Sequence, residues 1–596
     1  MRALSGNETQ FGKFTGYFIG IKFKASGISV VMNPSRKILQ MNKSFILKML
    51  LSGSIFIQWP VLTCFSNENC LVQRKIIVRI YDDHGAPTAA RIRVTGHDSV
   101  YYAPEGHRVD FPITKREGAI GGAADVMLDN NRRFAYIEET FKIDLPEKEA
   151  IRFEVVKGFV YRFLDTTINI SAETDTINIK LEKWFEFPAD QRWYSGDVHV
   201  HYIDSSTALL EMKAEDLNVC NILISDFTDD QASFRGAPEP ISDSLHIVYL
   251  NQEYRQDRLG HVNLLNLKKL IKPVKPIREY EYPLNIKAMD ETHAQGGHVS
   301  WAHFAAWPAL EGPLAIVLKK VDAVELLCTI DPFEEPVFVS HVVPDLRMNS
   351  GLRLWYRLLN CGLKIPTSAG TDKMSNWVTV GANRVYASIK GEFNYQSWID
   401  ALDRGNSFIT NSPMLFCTVG GKNPGEEIKI PKPGTIKIVA EVYSQLPVDR
   451  LEIIANGDVI GEKVIEKGQY HAKLEIEYKP GKSAWIAART HQYNQRDMIE
   501  GVSFAKRRDD GGGTTFLNRY YGTLRPETAF AHTSPSYVIV GNKPIRSAKD
   551  AEYFIKYLEN AITWLKKSGS FPSKEARQEV LDSFKNGIKM YRELMK

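Results

Sequence analysis

Between Arg192 and Gly405 the chain repeats one local pattern: short apolar runs that read as buried strands, with helix-like segments between several of them. The runs are Val219-Cys-Asn-Ile-Leu-Ile-Ser225, His261-Val-Asn-Leu-Leu-Asn-Leu267, His298-Val-Ser-Trp-Ala302, Val321-Asp-Ala-Val-Glu-Leu-Leu327 and Leu363 to Ala369, and Ala208 to Leu217 is the first helix-like segment. Strands that lack polar alternation are covered on both faces. Alternating with helices, they predict an α/β fold built on a mainly parallel sheet or barrel. Such folds gather ligands at the C-terminal ends of their strands, so the residues at those ends are the candidates for chemistry.

Six side chains stand there. In Trp193-Tyr-Ser-Gly-Asp-Val-His-Val-His-Tyr-Ile203, His199 and His201 are two apart on a strand, which projects both imidazoles from one face. Glu253 and His261 bracket the loop Asn251-Gln-Glu-Tyr-Arg-Gln-Asp-Arg-Leu-Gly-His261; His303 closes Gly297-His-Val-Ser-Trp-Ala-His303; Asp372 closes Ser368-Ala-Gly-Thr-Asp372. Four imidazoles and two carboxylates make a mixed nitrogen and oxygen donor set suited to Zn, Mn or Fe, and a bridging carboxylate can hold two such ions together. His298 precedes His303 by an odd number of residues, faces the other way on a continuous strand, and reads as structural.

Taken in order, Gly-Asp-Val-His-Val-His, Gln-Glu-Tyr followed by Gly-His-Val-Asn, Ser-Trp-Ala-His and Ala-Gly-Thr-Asp resemble the motifs of PHP metallohydrolases. The resemblance is closest to the CehA/McbA (carbaryl-hydrolase-like) branch, in which a β-sandwich precedes Trp-Tyr-Ser-Gly-Asp-x-His-x-His. It implies a distorted (β/α)7 barrel with divalent metal ions at its C-terminal face. By position, His199, His201 and Asp372 would bind one ion, Glu253 would bridge, and His261 and His303 would bind the second. Where the wider pattern often ends its second strand with Thr-Asp-His, this chain has Ser225-Asp226-Phe227; where the last often ends with Asp-x-His, it has Asp372-Lys373-Met374. Both missing histidines belong to a third metal position, so two ions are expected. Ions of this kind make hydrolysis of an ester, carbamate, amide or phosphoester accessible through an activated water. Asp226 is a candidate to orient that water or protonate a leaving group, and Lys373 to steady a developing oxyanion. The alternative is a catalytically weak carbohydrate- or surface-binding protein on the same scaffold. An amidohydrolase also starts with His-x-His, but needs a barrel lysine and two further histidines before the last aspartate, and only part of that set is present.

The flanks frame this core. At 596 residues the chain exceeds a single core, and its formal net charge of +4 gives no reason to expect nucleic acid. Residues 1–72 read as an extension followed by an export signal: Met41-Asn-Lys43, an apolar stretch from Phe45 to Leu62, then Thr63-Cys64-Phe65-Ser66, with translation expected to start at Met41. A periplasmic or extracellular location follows, with a lipoprotein or membrane tether through the same segment as the competitor. Period-two alternation over 73–188 predicts one β-sandwich, the metallohydrolase barrel occupies 189–412, and alternation over 413–545, with an Asn456-Gly457 turn, predicts a second sandwich. Ala531-His-Thr-Ser-Pro535 matches a motif of the CehA/McbA relatives, and His532 either reaches the active-site mouth or ties two parts of the fold together. Residues 546–596 read as a helical hairpin capped by Ser547, with stripes Phe554, Leu558, Ile562, Leu565 and Ala576, Val580, Phe584, Ile588, Tyr591. The six cysteines lack any Cys-x-x-Cys spacing, which argues against a zinc ribbon or a disulfide scaffold; Cys220, Cys328 and Cys361 read as buried thiols. A small-molecule or glycan-related substrate is expected.

Overall fold

The computed structural model describes residues 22–24, 27–29, 72–107, 125–128, 132–188, 191–225, 230–304, 307, 309–328, 332–333, 350–374, 376, 378–492 and 529–596. The export-signal stretch and Asp226 lie outside the described residues. Residues Met1–Cys70 form one unit and Leu71–Lys596 the other. In the first, Lys22–Lys24 and Gly27–Ser29 pair antiparallel. All that follows concerns the second.

The strands are β1 (Trp193–Val200), β2 (Val219–Ile224), β3 (Ile247–Gln256), β4 (Gly260–Leu265), β5 (His298–Trp301), β6 (Ala323–Leu327) and β7 (Thr367–Ala369); β2 and β4 to β7 fall on the expected apolar runs, whereas β3 extends into a segment expected as a loop. They lie side by side in chain order within one curled sheet of a mixed α/β fold. Among these seven strands the pairing is mainly, though not wholly, parallel. Pairs β1/β2, β2/β3, β5/β6 and β6/β7 are parallel, whereas β3/β4 and β4/β5 are antiparallel. The reason is local: only Asp257 to Leu259 separate β3 from β4, enough for a hairpin and too short for the crossover that a parallel pair requires. Past β7 the chain returns to β1. Val200 and Lys373 form a parallel bridge, and the His201 N–H donates to the Lys373 carbonyl at 3.0 Å.

Helices α1 (Ser205–Ala214), α2 (Ile286–His293), α3 (Gly312–Val317), α4 (Gly351–Asn360) and α5 (Tyr395–Asp403) connect or cover these strands. Asp204 caps α1 by accepting from the Ser206 and Thr207 N–H groups, and Asn394 and Ser397 form a capping box on α5. Trp301, Trp355 and Trp398 are fully buried in the shared core. Gly196 on β1 is required there, because a side chain would run into the Trp398 indole.

The sheet does not stop at the seven strands. Beyond β1 it continues through Arg384–Ser388, Ser407–Thr410, Phe530–Thr533, Ala484–His491, Arg450–Ala455 and Asp458–Val464. The last two are joined by Asn456 (φ 51°) and Gly457 (φ 92°), the left-handed pair that an Asn-Gly hairpin turn needs. The N-terminal strands form a six-stranded sheet and a three-stranded sheet. Their inward residues, among them Ile76, Val78, Ile80, Ile177 and Ile179, share one buried cluster with Ile436, Ile438, Ala440 and Val442. At the C-terminus, α6 (Ala548–Ser568) and α7 (Lys574–Leu594) bury both expected stripes. The Tyr591 hydroxyl donates to the Pro313 carbonyl at 2.9 Å, which docks the pair against α3. Among the described residues no helix is long and apolar enough to cross a membrane.

His532 is a tie within this sheet. Its Nε2 lies 2.6 Å from the Tyr356 hydroxyl of α4 and its Nδ1 2.7 Å from the Thr533 carbonyl. Neighbouring Ser534 meets Ser407 at 2.9 Å. Burial, reinforced by the Arg489 guanidinium, pushes the His532 pKa down from 6.5 to about 3. The unfolded chain therefore binds this proton more readily than the folded one. The stability that His532 contributes is whole above pH 6.5 and is lost as pH falls toward 3. Urea midpoints compared at pH 7 and pH 5 should drop more in the wild type than in His532→Gln; equal drops would remove His532 as the source.

Candidate metal centre

The structure brings the six candidate side chains to one place, at the C-terminal ends of β1, β3 and β5, the start of β4 and the end of the β7 segment. His199 and His201 share a face of β1 as the strand geometry requires, and their Nε2 atoms lie 3.0 Å apart. Glu253, on β3, reaches them with Oε2 3.1 Å from His201 Nε2 and Oε1 3.8 Å from His199 Nε2. The same carboxylate faces a second pair: Oε1 is 3.3 Å from His261 Nδ1 and 3.9 Å from His303 Nε2, and those two nitrogens are 3.2 Å apart. Asp372 joins the first pair, with Oδ1 3.3 Å from His199 Nε2 and 3.8 Å from His201 Nε2. The result is two donor groups, His199/His201/Glu253 and Glu253/His261/His303, that share one carboxylate.

The hydrogen bonds behind the imidazoles fix which nitrogen faces inward. His201 Nδ1 lies 2.9 Å from the Leu223 carbonyl, which can only accept, so Nδ1 carries the hydrogen and Nε2 presents a lone pair. His199 Nδ1 lies 3.1 Å from Glu325 Oε2, with the same consequence. His261 turns Nε2 toward Asp257 Oδ1 at 3.5 Å and Nδ1 inward. Lone pairs converging at 3.0–3.3 Å repel one another unless a cation lies between them. Donors about 2.1 Å from a shared tetrahedral ion stand roughly 3.4 Å apart, and the observed separations bracket that spacing.

Charge points the same way. Burial opposes charging His199, but the Glu325 and Asp372 carboxylates outweigh it and raise its pKa well above the ordinary value. For Glu253 burial favours the neutral acid, but the four surrounding imidazoles of His199, His201, His261 and His303 prevail and hold it well below the usual carboxylate range. A buried carboxylate ringed by four imidazoles calls for added positive charge, which divalent ions would supply. The backbone is strained at the same spot: Tyr202 (φ 52°), His303 (φ 35°) and Asp372 (φ 47°) all occupy the left-handed region, the kind of conformation that concentrates at functional sites.

Two residues complete the site that the sequence reading did not assign. Glu325, on β6, accepts from the His303 N–H at 2.5 Å as well as facing His199, so one carboxylate steadies members of both pairs. Its signal is a lone charge inside the apolar run Ala323 to Leu327. A side chain at Gly370 would collide with the Glu325 carboxylate and with His199. Asp197 holds the closing loop: Oδ1 accepts from the His199 and Thr371 N–H groups, both at 3.0 Å, and Oδ2 from the Thr371 hydroxyl at 2.6 Å and the Gly381 N–H at 2.8 Å.

Lys373 departs from expectation. Its buried ammonium donates to the Val378 carbonyl at 2.5 Å and pairs with Glu211 of α1 at 3.4 Å, so it braces the loop and does not line the donor cluster. Asp226 lies outside the described residues. His298 is structural as read, with Nδ1 2.5 Å from Asp403. Cys220, Cys328 and Cys361 are buried, and burial together with Glu325 pushes the Cys328 thiol well up, away from reactivity.

No family model matches the chain, and no curated protein matches it. Among solved structures, that of PsfC from Pseudomonas syringae PB-5123 is similar over 35% of this chain and 89% of its own length, at 16% identity and a TM-score of 0.26. A likeness at that level carries no argument about fold or function.

All four acceptor positions of Asp197 are taken by donors, so an amide cannot replace the carboxylate without facing one N–H with another. Asp197→Asn is expected to lower the unfolding free energy by about 1–3 kcal/mol, read from urea midpoints. An unchanged midpoint would mean that the loop is held by other contacts.

Proposed function

We propose that the protein is a dinuclear metal-dependent hydrolase acting on an ester, carbamate or phosphoester, built on the distorted (β/α)7 barrel of the PHP metallohydrolases. One observation carries this reading: two imidazole pairs joined through the single buried carboxylate of Glu253, with Asp372 closing the first pair. Side-by-side strands closed by the Val200–Lys373 bridge, with the donors at one end, support the barrel. The CehA/McbA-like motif order supports the reaction class.

In this reading His199, His201 and Asp372 would hold one ion and His261 and His303 the other, with Glu253 common to both donor groups. Two divalent ions so placed supply Lewis acidity and an activated water at neutral pH. The chain's own contribution is orientation. Glu325 and the Leu223 carbonyl fix the tautomers of His199 and His201, and Glu325 also pins the backbone of His303. Asp372, about one-fifth exposed, is the member of the first group most open to an incoming substrate. Lys373, turned toward Val378 and Glu211, takes no part in stabilising developing negative charge, a task that bound divalent ions would supply. The export expected from Met41 to Ser66 makes this an exported enzyme.

Metal analysis of purified protein should give about two divalent ions per chain, and prolonged dialysis against a chelator should abolish turnover in a panel of ester, carbamate and phosphoester substrates. Less than one ion per chain, with no turnover that His199→Ala removes, would leave only a binding protein on this scaffold. Glu325→Gln should weaken metal affinity by about 10–100-fold in competition with a chromogenic chelator, while the circular-dichroism spectrum stays that of the wild type.

A further inference from the structure

Four charged side chains are buried between the N-terminal sheet, α1 and the segment after β7: Arg91, Glu215, Glu211 and Lys373, each at most 1% exposed. Arg91, on the strand Ala90–Thr95 of the six-stranded sheet, donates through Nε to Glu215 Oε1 at 2.6 Å. The Tyr136 hydroxyl, on a strand paired with it, donates to the same oxygen at 2.8 Å. One turn back along the chain, Glu211 Oε2 lies 3.4 Å from Lys373 Nζ and accepts from the Val380 N–H at 3.4 Å. Arg384 ties the two ends together: Nη1 and Nη2 each donate to the Glu215 carbonyl at 3.1 Å, and Nε donates to the Gly381 carbonyl at 2.6 Å. Thr371 and Gly381 are thus held by Asp197, and Lys373 and Val380 by Glu211.

Such a network is poorly suited to stability alone. Stripping water from each charge is costly, and apolar side chains of the same volume often serve a fold as well or better. What apolar packing does not supply is direction, and hydrogen-bonded charge pairs do supply it. Here the residue so directed is Lys373. Its carbonyl accepts from the His201 N–H at 3.0 Å, and the residue before it is Asp372, whose Oδ1 lies 3.3 Å from His199 Nε2. Asp372 leaves its strand in left-handed backbone (φ 47°), so its carboxylate stands where its neighbours in the chain are held.

Resting on the dinuclear reading, we infer that Glu211 is a positioning residue for the first ion: through Lys373 it sets where Asp372 stands, and the N-terminal sheet, through Arg91 and Glu215, anchors the helix that carries it. The N-terminal strands then belong to the framework of the metal centre.

The test uses full-length protein freed of metal by a chelator and titrated with Co(II), whose visible bands report the geometry of its donors. The binding step that Asp372→Asn weakens is that of the first ion. Glu211→Gln should weaken that step at least about tenfold and shift its bands, with the other step within about twofold of wild type. Lys373→Met/Glu211→Leu, which leaves no lone buried charge, should do the same, and Arg91→Met/Glu215→Gln should weaken the same step at least about threefold. In the Asp372→Asn background Glu211→Gln should add less than about twofold, because both changes act on one donor. Equal weakening of both steps, no weakening of either, or full additivity with Asp372→Asn overturns the assignment. A selective loss in the Glu211 variants with none in Arg91→Met/Glu215→Gln removes the N-terminal sheet from it. If the wild type takes up less than one ion the dinuclear reading fails, and hydrogen exchange of the metal-free protein decides the positioning. Glu211→Gln should then speed exchange in peptides that contain His201 and Gly381 and leave those of α6 and α7 unchanged; wild-type rates throughout, or faster exchange throughout, overturn it.

Discussion

The closure of β1 against the segment after β7 is the constraint on which the rest of the site depends. Asp197 makes it, by gathering the N–H groups of His199, Thr371 and Gly381 and the Thr371 hydroxyl around one buried carboxylate. With that closure His199 and Asp372, 173 positions apart in sequence, come within 3.3 Å. Loop closure on that scale carries an entropic cost that local helix or strand propensity cannot offset. Four donors on a single acceptor pair, backed by the Val200–Lys373 bridge, are what hold it.

Around that closure the site is organised in two rings. The inner ring is Glu253 with four imidazoles, in which each side chain is a donor atom for its neighbours' charge. The outer ring is Glu325, the Leu223 carbonyl and Asp257, which dictates how the inner ring presents its lone pairs. Donor atoms held in this way by their surroundings lose little freedom on taking up a ligand, which lowers the cost of binding. The left-handed backbone at His303 and Asp372 is where the fold absorbs the strain of bringing two strand ends inward.

Much of this was legible in the residue pattern, and the losses have physical causes. His199 and His201 could be read because strand parity is a local rule. The strand ends at His303 and Asp372 could be read because apolar runs end visibly. The antiparallel turn between β3 and β4 was missed because the run from Asn251 to His261 looks like a polar loop, although most of it is strand. Glu325 was missed because its role depends on meeting His199 across the whole sheet, a contact that no window of sequence contains. Lys373 was misjudged for a related reason: adjacency to a candidate ligand says nothing of side-chain direction, and here a turn at Asp372 sends the ammonium toward Glu211.

The continuity of the large sheet has a consequence for how such a protein can be taken apart or recombined. Ser407–Thr410 pairs on one side with Arg384–Ser388 and on the other with Phe530–Thr533. Cutting the chain near residue 412, where composition suggests a boundary, would strip a partner from an interior strand and leave a row of unpaired amides exposed. Bare edges of that kind recruit other chains. The half of this molecule that carries the donor cluster is therefore not a cassette: exchanging its flanks would have to preserve strand pairing across the seam.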